Sequence, residues 1–104
     1  MTIQFNTDRN ISGSEELTKP LKAMIEGELE LFRSKITRLE IHISDENADK
    51  NGDNDKRCIV EARLESLQPI AVTHHANTPE EAVIGAISKL KTSISSTLGR
   101  LSSE

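Results

Sequence analysis

Two runs of alternating side chains, separated by a long acidic interval, constrain this chain more than any other feature. In the first, Leu39, Ile41 and Ile43 point one way and Arg38, Glu40, His42 and Ser44 the other. In the second, Cys58, Val60, Ala62 and Leu64 share one side, with Arg57, Ile59, Glu61, Arg63 and Glu65 mostly on the opposite side. Successive side chains of a strand project to opposite faces, so a period of two reads as a strand with one buried and one wetted side. The interval from Asp45 to Asp55 contains no Leu, Ile, Val or Phe and holds Asn51-Gly52, a turn pair favoured in hairpins. The two runs therefore read as arms of an antiparallel hairpin joined by a mobile acidic loop over residues 45–56. A hairpin with one apolar face is not stable alone in water, so the rest of the chain must cover that face.

The cover is legible on both sides of the hairpin. Ile3 and Phe5 alternate with Thr2, Gln4 and Asn6, a short first strand over residues 2–7. Ser12-Gly13-Ser14-Glu15 fits a capping box, and Leu17, Leu21, Met24, Ile25, Leu29 and Phe32 then recur at helical spacing as far as Arg33. Pro20 lies past the first turn of this helix, where it removes one backbone hydrogen bond and either bends the helix or moves its start toward Thr18. Glu28 is expected at the edge of the stripe with its carboxylate in water. Leu67-Gln68-Pro69 turns the chain into a fourth strand ending at His74. Thr78-Pro79-Glu80-Glu81 then starts a last helix with a capping hydroxyl, a first-turn proline and acids facing the helix dipole. Val83, Ile87, Leu90, Ile94, Leu98 and Leu101 form its buried stripe, and the tail 102–104 frays. The order β-α-β-β-β-α predicts an α+β fold. Its four-stranded, mostly antiparallel sheet carries both helices on one face, as in double-stranded-RNA-binding domains.

A length of 104 residues and an apolar content of 35% make one domain, 1–104, with one modest core. Neither an eighteen-residue apolar run nor a signal-peptide pattern occurs in the sequence, so a cytoplasmic protein without membrane contact is expected. Cys58 is the only cysteine, which excludes an internal disulfide and a thiolate cage. Seventeen acids against thirteen bases give a net charge of −4, and overall attraction to nucleic acid is thereby excluded. Setting aside the five acids and two lysines of the loop leaves twelve acids against eleven bases, a body close to neutral. With Phe5 and Phe32 as the only aromatics, stacking of bases on an aromatic sheet is excluded too.

Catalysis and metal binding find little support. Asn47, Asp49, Asn51, Gly52, Asp53 and Asp55 fall in an EF-hand register, but the position that needs a bidentate Glu is Cys58 and strands flank the loop. His74 and His75 are adjacent on a strand and point to opposite faces, so they cannot share one ion without a bulge; His42 can meet one of the pair across the open face of the sheet, and surface polarity explains these residues equally well. Glu61 and Glu65 stand roughly 13 Å apart on a strand, too far for a glycosidic acid–base pair. No nucleophile elbow or phosphate loop occurs in the sequence. The expectation is a non-enzyme with no catalytic residues, no metal, no cofactor and no small-molecule substrate.

The last helix carries the binding chemistry. Gly85, Lys89, Ser93, Ser96 and Arg100 follow helical steps that suggest one outward stripe opposite the apolar one, with Lys91 to one side. From Ala86 to Leu101 there are three bases and no acid, so this segment can approach phosphates without carboxylate repulsion. Bases near a helix C-terminus also complement its dipole, an equally good reason for their presence. Lys22 and Arg33 on the first helix, with Lys35 and Arg38 at the helix–strand junction, are candidates to enlarge the patch.

Several segments bring a resemblance into view: Ile41-His42-Ile43-Ser44, Ala86-Ile87-Ser88-Lys89-Leu90, Asp55-Lys56-Arg57-Cys58, Pro69-Ile70-Ala71-Val72 and Leu98-Gly99-Arg100-Leu101. Together with the element order, they make the chain resemble the ribosome hibernation-promoting factor and ribosome-associated inhibitor A (sigma-54 modulation protein) family, in a short form, along nearly its whole length. The resemblance implies a stress-linked domain that enters the messenger-RNA channel of the small ribosomal subunit, contacts 16S ribosomal RNA phosphates through basic helix residues and blocks initiation. Lys89 matches the family position; Lys91, Arg100, Lys22, Arg33, Lys35 and Arg38 follow from position and charge alone. The chain departs from the family at Thr92 and Ser96, where bases are usual, and in the acidic stretch Glu28-Leu29-Glu30. A monomer is expected. The rival reading is a module of the same fold for another RNA or a basic protein partner.

Overall fold

Alternation and capping give the expected order in the computed structural model: β1 (Thr2–Thr7), α1 (Glu15–Glu28), a 3-10 turn (Glu30–Phe32), β2 (Ile36–Asp45), β3 (Lys56–Leu64), β4 (Ile70–Ala76) and α2 (Pro79–Ser102). The structure describes residues 1–8, 11, 14–46 and 55–102, and of 101 and 102 the backbone alone. The expectations for loop residues 47–54, for the Ser12 hydroxyl and for the end of the tail lie outside the described residues.

The sheet order is β1-β2-β3-β4, with β1 parallel to β2 and the other two pairs antiparallel. The parallel pair is the one whose connection contains a helix, as a crossover requires. One rung, Phe5–Ile41–Val60–Val72, runs through all four strands on the core side, and the next, Asn6–His42–Ile59–Thr73, lies on the outer side. Cys58, Val60 and Ala62 are fully buried whereas Ile59 is not, so the register expected for β3 holds. Ile25 and Leu29 from the α1 region and Val83, Ile87, Leu90 and Ile94 from α2 join the inward residues of β2 and β3 in one buried cluster.

Three boundaries differ from the sequence expectation. α1 has Ser14 as its N-cap, two residues past Ser12, with an extended backbone (φ −66°, ψ 160°) and no side-chain cap. Pro20 stays inside this helix and is exposed, and the helix starts before it at Glu15 rather than near Thr18. The helix does not run unbroken to Arg33. It closes at Leu29, whose N–H donates to the Ile25 carbonyl at 3.0 Å, and the tighter turn that follows half-buries Phe32 but leaves Leu31 84% exposed. The acidic loop is shorter than 45–56, because Asp45 pairs with Lys56 in the β2–β3 ladder and the Glu46 N–H donates to the Asp55 carbonyl at 2.8 Å. α2 starts as its sequence predicts: the Thr78 hydroxyl accepts from the Glu81 N–H at 3.1 Å, with Pro79 first in the helix.

Candidate nucleic-acid interface

The buried arc of α2 is wider than its large apolar residues suggest. Ala82 and Ala86 are fully buried beside Val83, Ile87, Leu90 and Ile94. The Gly85–Arg100 stripe therefore lies alongside the core, along the β4 edge, rather than opposite it. Gly85 rests against the His74 imidazole, close enough that a Cβ there would overlap the ring. Lys89 Nζ donates to the Thr73 carbonyl at 2.9 Å, satisfying an acceptor of an edge strand. Between helix and strand runs an open groove lined by Val72, Thr73, Ser88, Lys89, Thr92 and Ser93, and it continues past Ser96, Thr97 and Arg100 to Ile70. Among the described residues its lining is two cations, six hydroxyls and two apolar side chains, with no carboxylate. A groove of this chemistry offers donors to an anionic backbone without an opposing charge.

The remaining expected residues do not gather there. Lys91 lies on the other flank of α2, where its Nζ meets Glu28 Oε2 at 3.2 Å across the helix pair; Glu28 is exposed, as expected. Lys22 lines a shallow hollow of α1 with Glu15, Thr18 and Lys19. Arg33 faces Glu30 at 3.7 Å, and Lys35 is exposed at the junction. Arg38 is on the outer face of the sheet, away from the helices, where its Nε donates to Glu40 Oε1 at 2.9 Å and a terminal nitrogen donates to Gln4 Oε1. It cannot extend a helix patch, because the alternation that buries Leu39 turns Arg38 outward. Of the seven candidates, only Lys89 and Arg100 share one surface. Ser88 and Thr97 are groove residues outside the stripe expected from the sequence, and Thr92, expected only as a departure from the resembling family, lines the groove with them.

Electrostatics elsewhere is local. Lys56 sits between Asp55 Oδ1 at 2.9 Å and Asp45 Oδ2 at 3.3 Å, and its bond to Asp55 raises the ammonium pKa. Glu46 Oε1 meets His75 Nε2 at 2.8 Å and lies 3.3 Å from Arg57 Nε, out of line for a hydrogen bond to the latter. The Arg38 bond holds the Glu40 carboxyl below its ordinary value. Burial pushes the Cys58 thiol up to about 12, so no thiolate forms near neutral pH. Among the described residues, no helix is long and apolar enough to cross a membrane.

No family model matches the sequence, and no curated protein matches it. Solved structures do. The N-terminal domain of Thermus thermophilus Protein Y aligns with 90% of this chain over 96% of its own length, with a TM-score of 0.71 and 13% identity. A ribosomal subunit interface protein from Coxiella burnetii aligns with 95% of this chain over 99% of its own, with a TM-score of 0.70 and 18% identity. The chain has the fold of these two proteins. The resemblance read from short motifs is thus borne out in the backbone, over almost the whole chain.

Proposed function

We propose that this protein binds the small ribosomal subunit through 16S ribosomal RNA and represses translation in stationary phase or stress, acting in the cytoplasm as a monomer without cofactor or catalysis. The observation that carries the reading is the acid-free groove between α2 and β4, with Lys89 and Arg100 among hydroxyls, on a fold shared with a ribosomal subunit interface protein. On a chain of net charge −4, a local surface of this kind is where phosphates meet least repulsion. The competing reading, a module of the same fold for another RNA or a basic protein, draws on the engagement of Lys91 by Glu28 and on hydroxyls at Thr92 and Ser96 where the resembling family has bases.

The test is sedimentation of the tagged protein with ribosomes from stationary-phase cells as salt is raised. Reversing Lys89→Glu and Arg100→Glu together is expected to abolish co-sedimentation while leaving stability within about 1 kcal/mol, as at exposed sites. A wild-type protein that stays in the light fractions supports the competing module. Reversal without effect on co-sedimentation moves the interface to the sheet face or the hairpin.

A further inference from the structure

The outer face of the sheet holds a cluster that the groove does not use. Glu40 of β2 stands directly opposite Glu61 of β3, and His42 follows two residues along on the same face. One ligand atom from each of the three lies within 4.8 Å of the other two. We propose that Glu40, His42 and Glu61 form a binding site for a divalent transition-metal ion of the zinc class. The site is on the opposite side of the sheet from the helices and does not depend on the ribosome reading.

Three features of the geometry carry this. First, the two oxygens of Glu40 have separate roles: Oε1 is held by Arg38 Nε at 2.9 Å, and Oε2 is left facing His42 Nε2 at 3.8 Å. That gap is too long for a hydrogen bond. It is about half an ångström wider than the roughly 3.3 Å between two ligand atoms on one tetrahedral ion with bonds near 2.0 Å, an adjustment that side chains this exposed can make. Second, Arg38 orients the carboxylate through the oxygen that would not bind, the part that outer-shell partners play at metal sites. Third, the strand register fixes the donors. The rung Gln4–Glu40–Glu61–Ala71 brings two like charges face to face, an unfavourable pairing that an ion between them relieves.

The donor set selects the metal. Calcium and magnesium need more oxygens than two carboxylates supply. An imidazole with two carboxylates favours zinc, nickel or copper, and three protein ligands leave a position for water.

Isothermal titration of the tag-free full chain with zinc chloride near neutral pH is the test, with magnesium chloride as the comparison. One zinc per chain is expected, and His42→Gln and Glu61→Gln should each weaken binding about tenfold or more, with His75→Gln leaving it unchanged. Proton resonances of the His42 ring should shift on adding zinc while those of His74 stay in place. Zinc affinity unaltered by His42→Gln, or no stoichiometric zinc binding by the folded wild-type chain, overturns the site. Magnesium binding as strong as zinc overturns the assignment of metal class.

Discussion

The contact between Gly85 and His74 yields a prediction with opposing terms of known size. Replacing Gly by Ala inside a helix ordinarily stabilises by about 1 kcal/mol, because alanine loses less conformational freedom. Here the added Cβ would overlap Cδ2 and Nε2 of the His74 ring and come within 2.7 Å of its Cγ. Since Cγ is included, rotating the ring about its own axis does not clear the clash, and the whole side chain must swing. Inward motion is limited by the sheet, where His74 pairs with the fully buried Cys58. Overpacking of this kind costs about 1–3 kcal/mol, so Gly85→Ala should be destabilising by about 1 kcal/mol after the helix gain is subtracted. Urea unfolding should show this as a lower midpoint at unchanged slope, and melting should shift down by about 4–8 °C per kcal/mol. In a His74→Ala background the clash is gone, and Gly85→Ala should then stabilise by about 1 kcal/mol. The sign change is the test. A stabilising Gly85→Ala in the wild-type chain would mean that the imidazole leaves freely and that the helix seat on β4 is not set by this contact.

The other predictions are shorter. Thr92→Arg with Ser96→Lys, both facing the groove, should tighten ribosome co-sedimentation and steepen its logarithmic salt dependence by about 0.9 for each phosphate gained; an unchanged slope would remove the groove from the interface. The Cys58 thiol should resist alkylation in the folded chain near neutral pH and react only on unfolding, and rapid labelling under native conditions would contradict its burial. Leu90→Ala should cost about 2–5 kcal/mol, read by urea unfolding, because the side chain is fully buried between helix and sheet. Lys56, with a folded pKa above 10.5, contributes stability that is complete below the unfolded value and lost as pH rises through the folded one. The urea midpoint should therefore fall as pH rises through the folded pKa, and Lys56→Gln should remove that component.

What was legible in the sequence follows from what is local. Alternation around Ile41 and Val60 gave both faces of the hairpin arms, and Thr78-Pro79 gave the start of α2, since each signal needs only its own neighbours. The end of α1 is not legible, because Leu29 and Phe32 keep helical spacing even though Phe32 already belongs to the 3-10 turn. The flank taken by Lys89 is not legible from the large apolar residues alone: Ala82 and Ala86 are fully buried and widen the arc of α2 that is covered, while Gly85 and Lys89 meet His74 and Thr73 of β4. Arg38 was a different kind of error: the alternation that buries Leu39 had already turned it outward, and charge alone grouped it with the helices. The opposition of Glu40 and Glu61 depends on pairing across the long acidic loop, and no spacing within either strand specifies it.

Most of the expected basic residues already have partners inside the molecule, and the type of partner ranks them as phosphate ligands. Lys91 is engaged by a carboxylate and Arg33 lies near one, so an incoming phosphate must displace or repel a like charge at each. At Lys89 the acceptor is the neutral Thr73 carbonyl, exposed to solvent. A hydrogen bond from an ammonium to an anionic oxygen is stronger than one to a neutral carbonyl, so exchange at Lys89 favours phosphate, whereas exchange at Lys91 is close to neutral before the repulsion from Glu28 is counted. On the proposed reading the two flanks of α2 then differ in kind. The flank along β4 has a cation whose ammonium can turn from the sheet edge to RNA, and the flank toward α1 uses its cation to hold the two helices together. The two bases that the resembling family has on successive turns correspond here to Thr92 and Ser96, both in the β4 groove. At these two positions the departure from the family falls on the surface that would bind phosphate, whereas the acidic departure at Glu28 supplies the carboxylate that meets Lys91 between the helices.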